Sequence, residues 1–233
     1  MRIYLTAVMI LQLLCVKGQD LRNTEALSRS VRDNVLVSAD LPEIKMKIND
    51  EFEFVGSFYF EIVANSEEYA EDVRGKTVAA GDRFVFVAAD EKKKVEKLFI
   101  IQLEGFLPSL DFIYNYNFDN AEFIGENKYL NNTWFYDSSE SAKQNPNGEG
   151  ALTTKFLEEK GFRLENHVMM SRFVGLASED RKNEIIIFYI EMLNSETGYT
   201  LDEYENSVSD KEKEAIRNSL IERSRNSFSI TKG

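Results

Sequence analysis

Hydrophobic and aromatic residues along the chain fall mainly into short segments separated by polar ones. Three segments in the first half are rich in Phe, Val and Ile and are bounded by Gly, Asp, Asn or Lys: residues 53–63, 82–90 and 94–106. This composition is typical of β-strands. The charged sequence between the second and third segments predicts a hairpin loop, so we expect these two strands to be antiparallel neighbours.

The second half of the chain contains the same kind of pattern. Residues 167–177 and 183–193 predict two strands joined by the polar turn SEDRK, and residues 128–136 predict another strand within an aromatic, asparagine-rich region. The runs KLFIIQL and EIIIFYIEML are hydrophobic at nearly every position, whereas an antiparallel strand with one solvated face alternates. We therefore expect both faces of the sheet to be covered.

Helical signals occur outside these strands. Residues 149–160 combine apolar residues four apart with a terminal Lys-Gly, as expected for a helix and its C-terminal end. The C-terminal helical region begins with two pairs that have capping-box spacing: Thr200 with Glu203, and Ser209 with Glu212. The segment SSESAKQNPNGEG predicts an exposed loop, and the polar sequence from about Arg223 predicts fraying.

Hairpins in place of regular βα alternation predict an α+β fold, a predominantly antiparallel β-sheet with two packed helices. A helix-grip arrangement, with a long C-terminal helix across a curved sheet, is one specific version. A β-sandwich with peripheral helices is the alternative. We expect residues 43–233 to form a single α+β domain. Residues 19–42 are expected to form an N-terminal arm with one short helix around Leu27, Val31 and Val35.

The first eighteen residues predict an export signal. Arg2 precedes a mainly apolar stretch over residues 3–16, and Val-Lys-Gly then fits a signal-peptidase site before Gln19. A membrane-spanning helix needs about 20 apolar residues, so a retained anchor is the weaker alternative, as is lipidation of Cys15. The sequence predicts a periplasmic or extracellular protein, of bacterial type, with no stable membrane span after cleavage.

The net charge and the residue counts exclude several classes of partner and site. The net charge of −12 falls to −14 when Arg2 and Lys17 leave with the signal, so anionic nucleic acids are not expected partners. Cleavage also removes Cys15, the single cysteine, and leaves one histidine, so disulfides and the usual zinc spacings are excluded. No glycine-rich phosphate loop follows a strand. We predict no cofactor and no metal.

One arginine stands among apolar residues on a predicted strand. Because side chains alternate along a strand, Arg172 shares its face with Val168, Met170, Val174 and Leu176. Burial of an unpaired guanidinium is costly, so Arg172 needs an acidic partner or a wet pocket. The candidate partners are Glu104 or Glu191, each with a polar neighbour on its own strand face, Gln102 and Tyr189 respectively. A purely structural ion pair is the simpler explanation of such a cluster.

Two other positions are candidates for ligand contact. Trp134 and Tyr136 share a strand face and form an aromatic stripe that suits an apolar or sugar-like ligand, or else ordinary core packing. His167 is the natural acid/base residue at neutral pH. It has no serine nucleophile within local reach, so a surface or hydrogen-bonded histidine is the better interpretation.

These observations lead to three functional hypotheses. The first is non-catalytic binding of a small apolar or amphipathic ligand between the sheet and a helix, with Arg172 and a carboxylate orienting its polar end. The second is a protein-interaction module of the cell envelope, which binds a partner or forms a homodimer through the aromatic segment or the second sheet face. The third is a hydrolase or isomerase whose site has no recognisable motif.

Overall fold

The computed structural model describes residues 29–231. Eleven strands and five helices occupy this part of the chain. The strands are β1 (Arg29–Arg32), β2 (Val35–Ser38), β3 (Ile44–Ile48), β4 (Glu53–Val63), β5 (Thr77–Ala89), β6 (Val95–Phe106), β7 (Glu122–Ile124), β8 (Asn127–Asp137), β9 (His167–Leu176), β10 (Asn183–Met192) and β11 (Phe228–Thr231). The helices are α1 (Ser138–Gln144), α2 (Glu149–Glu159), α3 (Leu193–Thr197), α4 (Leu201–Asn206) and α5 (Asp210–Asn226).

A seven-stranded antiparallel sheet forms the centre of the molecule, in the order β4-β5-β6-β10-β9-β8-β7. Both predicted hairpins are confirmed, since β5 pairs with β6 and β9 pairs with β10. The pairing of β10 with β6 joins the two halves of the chain at the middle of the sheet. These two central strands are the nearly continuous hydrophobic runs, so the sequence places its most apolar strands where both faces are buried.

A second, four-stranded sheet covers one face of the large sheet, in the order β1-β2-β3-β11. Alternating apolar residues of β3, with Leu36 of β2, point into a shared core with the large sheet. The ring of Phe228 lies 5.4 Å from that of Phe99 and 5.7 Å from that of Phe173. Because full burial of each such side chain is worth about 2–3 kcal/mol, this aromatic contact is a major attachment between the sheets.

The C-terminal helix α5 lies against the same face as the small sheet. Leu220 and Ser224, one helical turn apart, are both fully buried, and the Ser224 hydroxyl lies 3.0 Å from that of Ser171 on β9. The predicted capping box at Thr200 is present at the start of α4, and the Ser209 side chain caps α5. These helix starts are specified locally, as their sequences indicate.

The predicted α+β class with mainly antiparallel sheet is therefore confirmed. Helix α5 and a second sheet both lie on one face of the large sheet. Five helices are present among the described residues, and α2 confirms the helix predicted at residues 149–160.

Three local predictions were wrong. Val31 and Val35 lie in the β1–β2 hairpin and not in a helix, because their strands pair with each other and with β3. The start of the predicted loop forms α1, whose first turn is capped by the side chain of Asp137. The end of the chain does not fray at Arg223. Instead α5 continues to Asn226, and β11 pairs with β3. The predicted signal peptide lies outside the described residues.

Candidate functional site

A cavity of about 530 Å³ lies on the other face of the large sheet. Its floor is formed by β5, β6, β8, β9 and β10, and its wall by α1 and α2. Helix α2 is held against the sheet by a second hydrophobic cluster centred on Leu157, and Phe156 contacts Phe58 with ring centres 5.1 Å apart. The helices cover this face without filling it, so the space between them and the sheet stays open to a small molecule.

Strand register separates the apolar and polar parts of the cavity. Moving along β6, the cavity-facing side chains change from apolar to polar at Gln102. The antiparallel neighbour β10 changes one cavity-facing position later, at Glu184, because Ile186 lies opposite Gln102. The apolar part is lined by Leu98, Ile100, Met170, Phe188 and Ile190, and the polar part by Arg83, Gln102, Glu104 and Glu184. The cavity is therefore amphipathic, with its polar groups gathered at one end.

Arg83 connects the polar end to helix α2. Its guanidinium donates to Gln102 Oε1 at 2.6 Å, to the carbonyl oxygen of Glu149 at 2.7 Å and to Thr153 Oγ1 at 2.6 Å. The side chain also lies over the Phe188 ring, 4.9 Å from its centre. Burial lowers the pKa of Arg83 to about 10, so it keeps its positive charge at neutral pH. Its Nε and Nη1 groups thus donate within the protein.

Glu104 and Glu184 form a buried pair of carboxyl groups. They are directly opposite one another on β6 and β10, and their relative exposures are 7% and 2%. Glu104 accepts from the amide of Gln102 and from the hydroxyl of Tyr114, the latter at 3.1 Å. Among the described residues, no donor serves Glu184 Oε2. Two negative charges at this separation and burial are unfavourable.

Burial raises the pKa of Glu184 to about 8, and hydrogen bonding and charge repulsion from Glu104 act in the same direction. Arg172 and the Tyr116 hydroxyl oppose this change only partly. Burial also raises the pKa of Tyr114 and Tyr116, so both stay neutral. At neutral pH the carboxyl pair therefore holds one proton, and Glu184 is uncharged.

An aromatic segment closes the polar end from outside the sheet. Tyr114 and Tyr116 come from the irregular chain between β6 and β7, and their rings stack with centres 6.0 Å apart. Arg181 in the β9–β10 turn fixes this segment by donating to the carbonyl oxygens of both tyrosines, at 2.8 Å and 3.1 Å. The tyrosine hydroxyls are thereby directed toward the carboxyl pair.

Arg172, Trp134 and Tyr136 line the cavity together with Gln102 and Glu104. The Arg172 guanidinium lies over the Trp134 ring, 5.8 Å from its centre. The prediction that Arg172 forms an ion pair with Glu104 or Glu191 was wrong. Within residues 29–231, Arg172 takes part in no ion pair with an N–O distance up to 4.0 Å. Trp134 is 41% exposed and stands at the rim.

The other three candidate residues lie away from the cavity. Tyr189 and Glu191 point to the opposite face of β10, where the Tyr189 hydroxyl donates to Glu191 at 2.6 Å. Glu191 is also paired with Arg223 of α5, at 2.5 Å and 2.7 Å. His167 is at the start of β9, where its Nδ1 accepts from the Leu201 backbone amide at 3.4 Å. These contacts attach helices α4 and α5 to the sheet.

Sequence analysis missed Arg83, Glu184, Tyr114 and Tyr116. The signal for Arg83 was present, because it alternates with Val85 and Val87 along β5, as Arg172 alternates with apolar residues along β9. Glu184 lacks such a signal, since its importance depends on the register between β6 and β10. The tyrosines lie in irregular chain, where periodicity gives no direction to a side chain.

No protein-family model, curated protein or solved structure significantly matches the chain. Within residues 29–231, no helix has the length and apolar content to cross a bilayer. The same residues contain no group of three or more His, Cys, Asp or Glu side chains placed to hold a metal ion.

Proposed function

We propose that this protein binds a small amphipathic ligand in the cavity between the large sheet and helices α1 and α2, without transforming it. The observation that carries the proposal is the division of the cavity into an apolar part and one polar end. Ligand sites commonly have volumes of ~300–1,000 Å³ and combine apolar walls with a few fixed polar groups. At about 530 Å³, this cavity has the size and the lining of such a site.

The polar end suits recognition because its groups are held rigidly. Arg83, Gln102 and Glu104 form one connected hydrogen-bond network across β5 and β6, and Tyr114 fixes Glu104 from the opposite side. Polar groups whose positions are set by their neighbours lose little freedom when a ligand arrives. Arg172 and Glu184 also line the cavity, and in this proposal they contact the ligand.

Native mass spectrometry of residues 19–233, purified from an exporting host, tests this proposal. We expect a non-covalent mass that disappears on denaturation. Ala151 lines the cavity from α2, so Ala151→Phe should exclude the ligand, and Ala142→Phe provides the same test from α1. Ala215 is exposed on α5, and Ala215→Phe is the matched control. An empty wild-type protein, or ligand retained in both folded cavity variants, would contradict the proposal.

Protein interaction remains the second candidate, and exposed aromatic residues favour it. Phe123 is 64% exposed on β7, an edge strand of the large sheet, and Trp134 is 41% exposed at the cavity rim. The second sheet face is not available to a partner, because the small sheet covers it. A ligand-free dimer in the same mass spectra, lost in Phe123→Ser, would support this function over the first.

Export is also a proposal, supported by the N-terminal sequence. Sequencing of the protein recovered from the culture medium or periplasm should begin at Gln19. Recovery of full-length chain in the membrane fraction would instead favour a retained anchor.

A further inference from the structure

The ionisable groups at the polar end of the cavity differ in how fully they are bonded to other residues of the protein. The three donations of Arg83 are internal, to Gln102, Glu149 and Thr153. Glu104 accepts from Gln102 and Tyr114. Two ionisable groups that line the cavity are bonded less fully. Arg172 is hydrogen-bonded to Tyr116 but lies outside every ion pair of the described residues, and Glu184 has one oxygen, Oε2, that is buried without a donor among those residues.

Arg172 is thus the cation that the cavity offers to a ligand. Its guanidinium lies over Trp134 and is hydrogen-bonded to Tyr116, and a guanidinium with five N–H donors has others left for a ligand. A guanidinium with free N–H donors binds a carboxylate by two parallel hydrogen bonds. The nearby apolar lining of Leu98, Ile100, Met170 and Ile190 then accommodates a hydrocarbon chain.

We propose that the ligand is a monocarboxylic amphiphile, with its carboxylate bound by Arg172 and its chain in the apolar part of the cavity, and that Glu184 must be protonated for tight binding. This inference rests on the proposed binding function. It deepens that function by naming the chemical class of the ligand and the residue that makes binding sensitive to pH.

A positively charged ligand head group is disfavoured at the polar end of the cavity. An ammonium group at the polar end would join Arg83 and Arg172, two guanidinium groups that both line the cavity. The carboxyl pair offsets only one of these charges while Glu184 holds its proton. A carboxylate instead neutralises Arg172, which otherwise stays without an ion pair in a partly buried site.

The proton on Glu184 controls this balance. The pKa of Glu184 is raised to about 8, first by burial and then by Glu104. Above that pH, ionised Glu184 competes for Arg172 and repels the ligand carboxylate. The charged and titratable groups facing this site come from several elements: Arg83 on β5, Glu104 on β6, Arg172 on β9, Glu149 on α2, and Tyr114 and Tyr116 in the aromatic segment.

The test uses three probes with the same chain and different head groups: decanoate, decanol and decylammonium. Trp134 is the single tryptophan of the chain and lines the cavity, so its fluorescence reports binding directly. Decanoate should bind most tightly at pH 6. One pH unit above the pKa, about a tenth of the molecules keep the proton, so its affinity should be about tenfold lower at pH 9. The decanoate head group is ionised throughout this range.

Two variants separate the roles of the residues. Arg172→Gln should weaken decanoate binding about tenfold or more while leaving decanol binding nearly unchanged. Glu184→Gln cannot ionise, so decanoate should bind it equally at pH 6 and pH 9. Arg32→Gln, on exposed β1 away from the cavity, is the control and should behave as wild type.

The outcomes distinguish this inference from the function on which it rests. Equal or tighter binding of decanol or decylammonium, excluded by Ala151→Phe, would overturn the carboxylate inference and leave the binding function standing. A pH dependence that persists in Glu184→Gln would overturn the role of Glu184. No binding of any probe, together with an empty protein by native mass spectrometry, would remove the binding function itself.

Discussion

Replacing Glu184 by glutamine should stabilise the protein increasingly as the pH rises from about 5 to about 8. The pKa of Glu184 is raised from the ordinary 4.5 to about 8 because burial and Glu104 both oppose its charge. The folded protein therefore holds this proton more tightly than the unfolded chain. The stability that the proton confers is fully present below pH 4.5 and is lost as the pH rises through about 8.

The expected change in unfolding free energy follows from the interval between the two pKa values of Glu184, 4.5 and about 8. Within it, each pH unit lowers the free energy of unfolding of the wild type by about 1.4 kcal/mol relative to a variant without the group. Over the whole interval the loss reaches at most about 5 kcal/mol, a large part of the ~5–15 kcal/mol typical of a native protein. The glutamine amide has the shape of the protonated carboxyl and can donate to Glu104, so it adds no cavity.

Urea denaturation followed by circular dichroism, at pH 5, 6, 7, 8 and 9, measures the effect. The difference in unfolding free energy between Glu184→Gln and wild type should be small at pH 5, grow to several kcal/mol at pH 8, and then level off. Glu96→Gln is the control, because Glu96 is exposed on the same strand as Glu104. A Glu184→Gln difference that does not change with pH would refute the account of the carboxyl pair.

Three further substitutions test the packing that supports the site. Arg223→Met should destabilise the protein by about 3 kcal/mol, because it leaves Glu191, which is fully buried, without its cation; chemical denaturation measures this, and an unchanged midpoint would contradict it. Phe228→Ala should cost about 3–5 kcal/mol by opening the core between the two sheets, visible as a lower thermal midpoint, whereas a near-wild-type midpoint would mean that β11 is dispensable. Gly175→Ala should cost about 1–3 kcal/mol, since the new methyl would lie 2.8 Å from the buried Tyr129 ring; a stabilised variant would show that the ring has room to move.

The long strands were predictable because their composition and their burial agree. β4, β6, β9 and β10 begin and end within one or two residues of the predicted bounds, where Gly, Asp, Asn or Lys interrupts hydrophobic residues. The alternation along β9 also correctly placed Arg172 on a different face from His167. Such local regularities survive folding because each strand buries the side chains that define its pattern.

The short strands of the small sheet were less predictable. In β3, Ile44, Met46 and Ile48 alternate clearly with lysine, so a signal was present. Strand β11 has only four residues, Phe228–Thr231, and follows a helix whose polar end resembles a fraying terminus. Its position depends on pairing with β3, about 180 residues earlier in the chain, and no local pattern contains that information.

The residues of the candidate site were also predictable only in part. Gln102 and Glu104 were identified because they end an apolar strand face, and Arg172 because it interrupts one. Their grouping with Glu184 depends on the pairing of β6 with β10, which the hairpins on either side do not specify. The same missing information explains the error over Glu191, because adjacent positions on β10 point to opposite faces and only the strand order shows which face meets Arg172.

The polar end of the cavity is costly for folding alone, which bears on its function. A buried carboxyl pair with a raised pKa and a guanidinium without an ion pair both lower stability, and apolar residues of similar volume are often neutral or stabilising at such positions. The remaining cavity-facing positions of β6 and β10 follow that preference, with Leu98, Ile100 and Ile190. Departures from an otherwise consistent pattern are expected where a site contacts something other than the protein. A ligand whose carboxylate pairs with Arg172 would offset part of this cost, so its binding should stabilise the fold more at pH 6 than at pH 9.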